Sequence, residues 1–114
     1  MSAAAAHDQN LDDIFSALAD PTRRRLLGHL ATGPQSVGQL AEPIAMSLPA
    51  VSKHVKILER AGLVRREKLG RVHRIHLTAK PMTLAKDFID VYRAFWEDNL
   101  DQLANYLESE LEDK

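Results

Sequence analysis

The 114-residue chain contains no cysteine. That excludes disulfides, thiolate metal sites and thiol switching, and it fits a reducing compartment, so a cytoplasmic location is expected. Aromatic residues are scarce at 5%, which leaves Leu, Ile, Val and Ala to build the core. No apolar run approaches the length of a membrane span. The opening MSAAAAHDQN has neither the basic stretch nor the apolar stretch of a signal peptide. No Gly-rich phosphate loop, nucleophile elbow or metal-ligand cluster appears, so neither an enzyme nor a bound cofactor is expected.

What is present is an uneven distribution of charge. The net charge of −1 conceals a basic middle between acidic ends. Residues 1–20 hold four Asp and no Lys or Arg, whereas residues 21–80 hold 12 Lys and Arg against three Glu. Residues 81–114 reverse the sign again, with nine Asp and Glu against three Lys and Arg. A basic block of this kind points to a polyanion partner. The acidic residues of the last stretch, among them Asp87, Asp90, Glu97, Asp98 and Asp101, read as a solvated surface that repels DNA from the wrong face, not as a metal site.

The chain length fits one domain. Residues 1–10, Ala-rich and polar, read as a flexible arm, and residues 11–114 as the folded unit. Leu11, Ile14, Phe15 and Leu18 recur at helical spacing. Asp20-Pro21 marks the start of a second helix, with Asp as cap and Pro where no internal hydrogen bond is lost. Thr22, Arg23, Arg24 and Arg25 crowd its first turn, where cations oppose the helix dipole and a nearby phosphate would relieve them. Gly33-Pro34 breaks the chain. Ser36 caps a short helix with Val37, Leu40 and Ala41 on its apolar face, and Pro43 ends it.

Ser47 caps the next helix, with Pro49 in its first turn. Val51, Val55 and Leu58 share one face, while Pro49, Lys53, Lys56 and Arg60 lie roughly opposite. Gly62 is placed to end that helix. Leu63 to Lys68 and Val72 to Leu77 alternate apolar with basic residues around a Leu69-Gly70-Arg71 turn, a hairpin. A last long helix, capped by Thr83, carries Phe88, Phe95, Trp96, Leu100, Leu103 and Leu107 at three- and four-residue spacing. The expected fold is therefore mainly α with a small β-hairpin: a helix-turn-helix with a wing.

The candidate DNA-facing residues follow from this pattern. They are Thr22 and Arg23 at the second helix start, Ser47, Pro49, Ala50, Ser52, Lys53, His54 and Lys56 on the capped helix, and Arg71, His73 and Arg74 on the hairpin. Lys53 can donate to guanine O6 or N7. Ser47 reads as a cap and as a phosphate contact. His54 lies nearer the apolar stripe, where a hydrogen bond within the protein competes with DNA contact. Arg71 and Arg74 suit phosphate or minor-groove contact. His73 and His76 fall on opposite strand faces and form no chelating pair. The last helix has more large apolar residues than a small monomer buries, which predicts a dimer interface.

Three segments carry a family likeness: Ala19-Asp20-Pro21-Thr22-Arg23, Pro49-Ala50-Val51-Ser52-Lys53-His54, and Glu59-Arg60-Ala61-Gly62-Leu63-Val64. With them, about Leu11 to Leu111 resembles the ArsR family of bacterial winged-helix repressors. The resemblance implies a homodimer built through the first and last helices, which brings in Leu11, Ile14 and Phe15 with Phe88, Phe95, Trp96, Leu100, Leu103 and Leu107. It also implies that the Ser47–Ala61 helix enters the DNA major groove. Many members have Gln at the position of Leu48, so the resemblance carries no base contact over to that residue. The metal-sensing branch has cysteines in the helix corresponding to Val37–Glu42, where this chain has Gln39-Leu40-Ala41-Glu42. Arsenite, cadmium or zinc sensing is therefore not expected, and the sequence leaves a small-molecule inducer open. The function implied is a sequence-specific repressor that occupies a pseudo-palindromic operator of double-stranded DNA, in a small operon including its own gene. The competing reading is a winged-helix module that binds protein without specific DNA binding.

Overall fold

Capping residues set most of the boundaries in the computed structural model, which describes residues 3–112. Helix α1 (Ala3–Leu18) ends before Asp20, whose side chain accepts a hydrogen bond from the Arg23 backbone N–H at 3.0 Å and opens α2 (Pro21–Leu30). A two-residue strand β1 (Gln35–Ser36) leads into α3 (Val37–Ala41). Ser36 and Gln39 close a reciprocal capping box there, with bonds of 2.9 and 3.2 Å. Pro43 stops α3, and the chain passes through a 3-10 turn (Glu42–Ile44) to Ala45 at φ +56. Ser47 then caps α4 (Leu48–Arg60).

Gly62 ends α4. Its φ of +76 and the 3.0 Å bond from Leu63 N–H to the Leu58 carbonyl form a Schellman closure. A Cβ at Gly62 would also meet Pro81 Cγ at 3.3 Å, so glycine serves both the turn and the packing. Strands β2 (Val64–Leu69) and β3 (Val72–Leu77) pair antiparallel, with Leu69 opposite Val72. Of the two turn residues only Gly70 takes positive φ, at +65, as the first central residue of a type II′ turn does. β1 adds to the far edge of β3, giving the order β1-β3-β2. The last element is α5 (Ala79–Glu112).

One core unites these elements. Leu26, Leu40, Val51, Val55, Leu58 and Ile75 have no exposed surface, and Ile14 and Leu63 have almost none. The apolar edge of α4 thus packs on α2, α3 and the sheet, and its opposite edge is left outside. Helix α5 departs from this core. It has 34 residues, about 51 Å at 1.5 Å per residue, and only Ala85 is buried along it. The molecule extends to 73 × 39 × 21 Å with a radius of gyration of 20.1 Å, against about 13 Å for a compact chain of this length.

Of the stretch read as a loose arm, residues 3–10 are helical and continuous with the rest of α1, and residues 1–2 lie outside the described residues. Three expectations are corrected. Thr83 is not the cap of α5. The helix starts at Ala79, Pro81 sits in its first turn where an N–H has no internal partner, and the Thr83 hydroxyl donates back to the Ala79 carbonyl at 3.3 Å. The hairpin gains the strand β1, which the alternation pattern does not reveal. Leu11 and Ile14, expected at a dimer contact, are buried within the chain itself, since α1 packs on its own α2, α4 and α5.

Candidate nucleic-acid interface

Helix α4 divides cleanly along its length. Val51, Val55 and Leu58 are buried, whereas Lys53, Lys56 and Arg60 are exposed on the other edge. At its N-terminus Ser47, Leu48 and Pro49 are exposed, and Ala50 and Ser52 are half-buried. The Ser47 hydroxyl accepts from the Ala50 N–H at 3.3 Å, so its capping role is realised. Pro49 supplies no N–H there, so the helix loses no donor to it. On the wing Arg71 and Arg74 are both exposed, and Arg71 borders the space beside α4. Between the N-termini of α3 and α4 and the wing runs an open cleft of about 550 Å³, lined in part by Val37, Leu48, Ser52, Arg71 and Val72.

Three predicted site residues are held inside the protein. Arg23 donates from Nε to the Ala17 carbonyl at 2.7 Å and from a terminal nitrogen to the Ser16 carbonyl at 3.0 Å, and Arg24 donates to the Leu18 carbonyl at 2.7 Å. The cations that crowd the start of α2 therefore neutralise the carbonyl end of α1, and no phosphate is needed to relieve them. His54 takes part in the same cluster: its Nδ1 lies 3.3 Å from an Arg23 nitrogen and 3.9 Å from the Asp20 carboxylate. In the neutral ring Nδ1 accepts from the guanidinium and the proton sits on Nε2, whereas the protonated ring places its charge beside the Asp20 carboxylate. The Arg23 N–H beside the Asp20 carboxyl, helped by the Arg23 and His54 charges, holds that carboxyl below its usual 3.8. Thr22, half-buried, presents its backbone N–H to the same carboxylate.

His73 is the third. Its Nδ1 lies 2.8 Å from Arg66, which also donates twice to Glu59, at 2.7 and 3.1 Å. This Glu59–Arg66–His73 chain ties the end of α4 to both wing strands and fixes the wing relative to the helix. Sequence reasoning missed Arg66 as a site residue, although a Glu and an Arg seven apart across a helix-ending glycine are a usable signal for such a clamp. His76 turns to the opposite face, 3.2 Å from Glu67. The two histidines thus point apart, as their spacing predicts. The exposed candidates fall in three places: Leu48 and Pro49 border the cleft with Ser52 and Arg71, Lys53 and Lys56 lie further round α4 beside Ala50, and Arg74 is exposed on the strand face that also carries His76.

A short helix, a tight turn and a second helix with its polar edge free, followed by a cationic hairpin, define a winged helix-turn-helix DNA-binding protein. A helix-turn-helix domain model matches residues 18–67. The transcriptional regulator Rv2034 of Mycobacterium tuberculosis is 40% identical over 104 residues, spanning 90% of this chain and 92% of that protein. The transcriptional repressor SdpR of Bacillus subtilis is 34% identical over 61 residues, or 54% of this chain and 68% of that protein. Among solved structures, an ArsR family transcriptional regulator superposes with a TM-score of 0.74 at 41% identity, covering 79% of this chain and 93% of its own. A homodimeric winged helix-turn-helix DNA-binding domain from Mycobacterium bovis shares the fold, with a TM-score of 0.66 at 22% identity over 83% of this chain and 91% of its own.

The chain belongs to the ArsR family of winged helix-turn-helix transcriptional regulators. It is accordingly a DNA-binding regulator of transcription and not an enzyme. Among the described residues, no helix is long and apolar enough to cross a membrane.

Proposed function

We propose that this protein is a homodimeric repressor that inserts the N-terminal half of α4 into successive major grooves of a pseudo-palindromic operator, in the cytoplasm and upstream of a small operon that includes its own gene. The observation that carries this reading is the division of α4, with Val51, Val55 and Leu58 in the core and Lys53, Lys56 and Arg60 free on the opposite edge. Ser52 and Lys53 offer donors to base edges, and Arg71 and Arg74 offer charge to the backbone beside them. The dimer is supported by α5, whose Phe95, Trp96, Leu100, Leu103 and Leu107 are all more than half exposed in the single chain. Patches of that extent mark interfaces. Phe88 and the half-buried Phe15, whose rings meet edge-on at 5.5 Å, would lie at the base of this contact. Repression is the role of SdpR, which is 34% identical over 61 residues.

The test is a titration of purified protein against duplex DNA from upstream of its own gene and against a scrambled duplex of the same composition, over a range of salt. The upstream duplex is expected to bind at least about a thousandfold tighter than the scrambled one at physiological salt, with both weakening as salt rises. Equal affinity for the two would contradict sequence-specific binding. No binding to either would leave the fold as a protein-interaction module.

A further inference from the structure

The tip of α4 has an unusual chemical character for a surface that meets base edges. Its first three residues are Leu48, Pro49 and Ala50, none of which has a side-chain donor or acceptor. Leu48 is 55% exposed, although Val51, three residues on, is fully buried. Outside α5, the other large apolar side chains that are strongly exposed are Leu69, Val72 and Leu77, all on the wing. Leu48 is thus the one such residue on the reading helix among the described residues. It shares a ridge with Ser52, and both open into the cleft between α4 and the wing.

The core gains nothing from Leu48, and water solvates it poorly. In the major groove the four base pairs present donors and acceptors, and a single apolar group, the C5-methyl of thymine. An apolar helix tip pressed against any other edge would desolvate a polar group without replacing its hydrogen bond. We propose that Leu48 is a specificity-determining residue that reads a thymine methyl in each operator half-site. This rests on the reading of α4 as the DNA-reading helix. Within that reading it divides the labour along the helix: Leu48 selects thymine by apolar contact, while Ser52 and Lys53, further along, take the hydrogen-bonded positions.

The experiment uses the full-length protein and a high-affinity duplex recovered by in vitro selection. Each thymine of the selected site is replaced in turn by deoxyuridine, which removes the methyl and leaves every hydrogen-bonding group in place. Wild type is expected to lose about fourfold in affinity at one thymine per half-site, and about sixteenfold when both half-sites are changed, the value of a buried methyl in each. The variant Leu48→Ala, exposed and therefore folded as wild type by circular dichroism, is expected to bind the thymine and uracil duplexes alike at that position. Equal binding of thymine and uracil duplexes by wild type at every position would overturn the proposal. So would a thymine preference that persists unchanged in Leu48→Ala. If selection recovers no preferred sequence at all, the reading of α4 itself fails and this proposal with it, an outcome distinct from a preferred site that is blind to the methyl.

Discussion

At the scale of single residues, the sharpest contrast is between two cations that look alike in the sequence. Lys53 projects from the outer edge of α4, whereas Arg23 is spent on the carbonyls of Ser16 and Ala17. Lys53→Ala is expected to weaken operator binding by about 1–3 kcal/mol if the contact is to a base, with little effect on a scrambled duplex. Measured affinities that fall equally on both duplexes would assign Lys53 to phosphate instead. Asp20 carries a pH dependence. Its carboxyl lies below 3.8 in the folded chain, chiefly through the Arg23 N–H, so its charge stabilises the fold at and above 3.8 and ceases to do so as pH falls through the lower, folded value. Asp20→Asn keeps a capping side chain but does not titrate. The melting temperature of wild type is expected to exceed that of Asp20→Asn by a constant margin near neutrality, and the margin is expected to close below pH 3.8. A margin that persists unchanged into strong acid would contradict this. Local chemistry made Asp20, Ser36 and Ser47 legible as caps, because the groups they bond lie three residues away. The partners of Arg23, His54 and His73 were not legible, since they come from elements whose meeting is fixed only by the fold.

At the scale of elements, α4 and the wing behave as one rigid reading head. The Schellman turn at Gly62 and the Glu59–Arg66–His73 chain bind them together, so Arg71 at the hairpin turn and Arg74 in mid-strand on β3 are held in set positions relative to the helix. Replacing both Arg71 and Arg74 with Ala is expected to weaken binding to specific and scrambled duplexes alike. It should also flatten the dependence of log affinity on log salt by roughly one unit for each phosphate that these arginines neutralise. An unchanged slope would remove the wing from the interface. The periodicity of 3.6 in α4, the alternation in the hairpin and the breaks at Pro43 and Gly62 made these elements readable. Strand β1 was unreadable for a physical reason: two residues carry no period, and Gln35 and Ser36 are extended because β3 pairs with them. Helix α5 was readable in its apolar stripe but not in its start, because Pro81 suggests a break although the first turn of a helix tolerates it.

At the scale of the whole molecule, the single chain leaves a large apolar surface of α5 uncovered. A long helix with only Ala85 buried exposes Trp96 at 62% and Leu103 at 53%, an arrangement that a second copy would cover. Leu103→Glu is expected to place an unpaired charge in that contact, to yield monomer in sedimentation runs at micromolar concentration, and to abolish operator binding as a result. A wild type that sediments as a well-folded monomer at the same concentration would contradict the dimer. The acidic ends and the basic middle of the sequence then take on a spatial meaning, since Lys53, Lys56, Arg71 and Arg74 would be presented twice, once by each subunit. The most direct test is hydroxyl-radical footprinting of the wild-type protein on the DNA upstream of its own gene. The account predicts two protected patches on one face of the duplex, related by an inverted repeat, with centres about 34–36 Å or one helical turn apart, or a multiple of that spacing. A single protected patch, or diffuse protection without symmetry, would contradict a dimer that reads DNA with paired α4 helices.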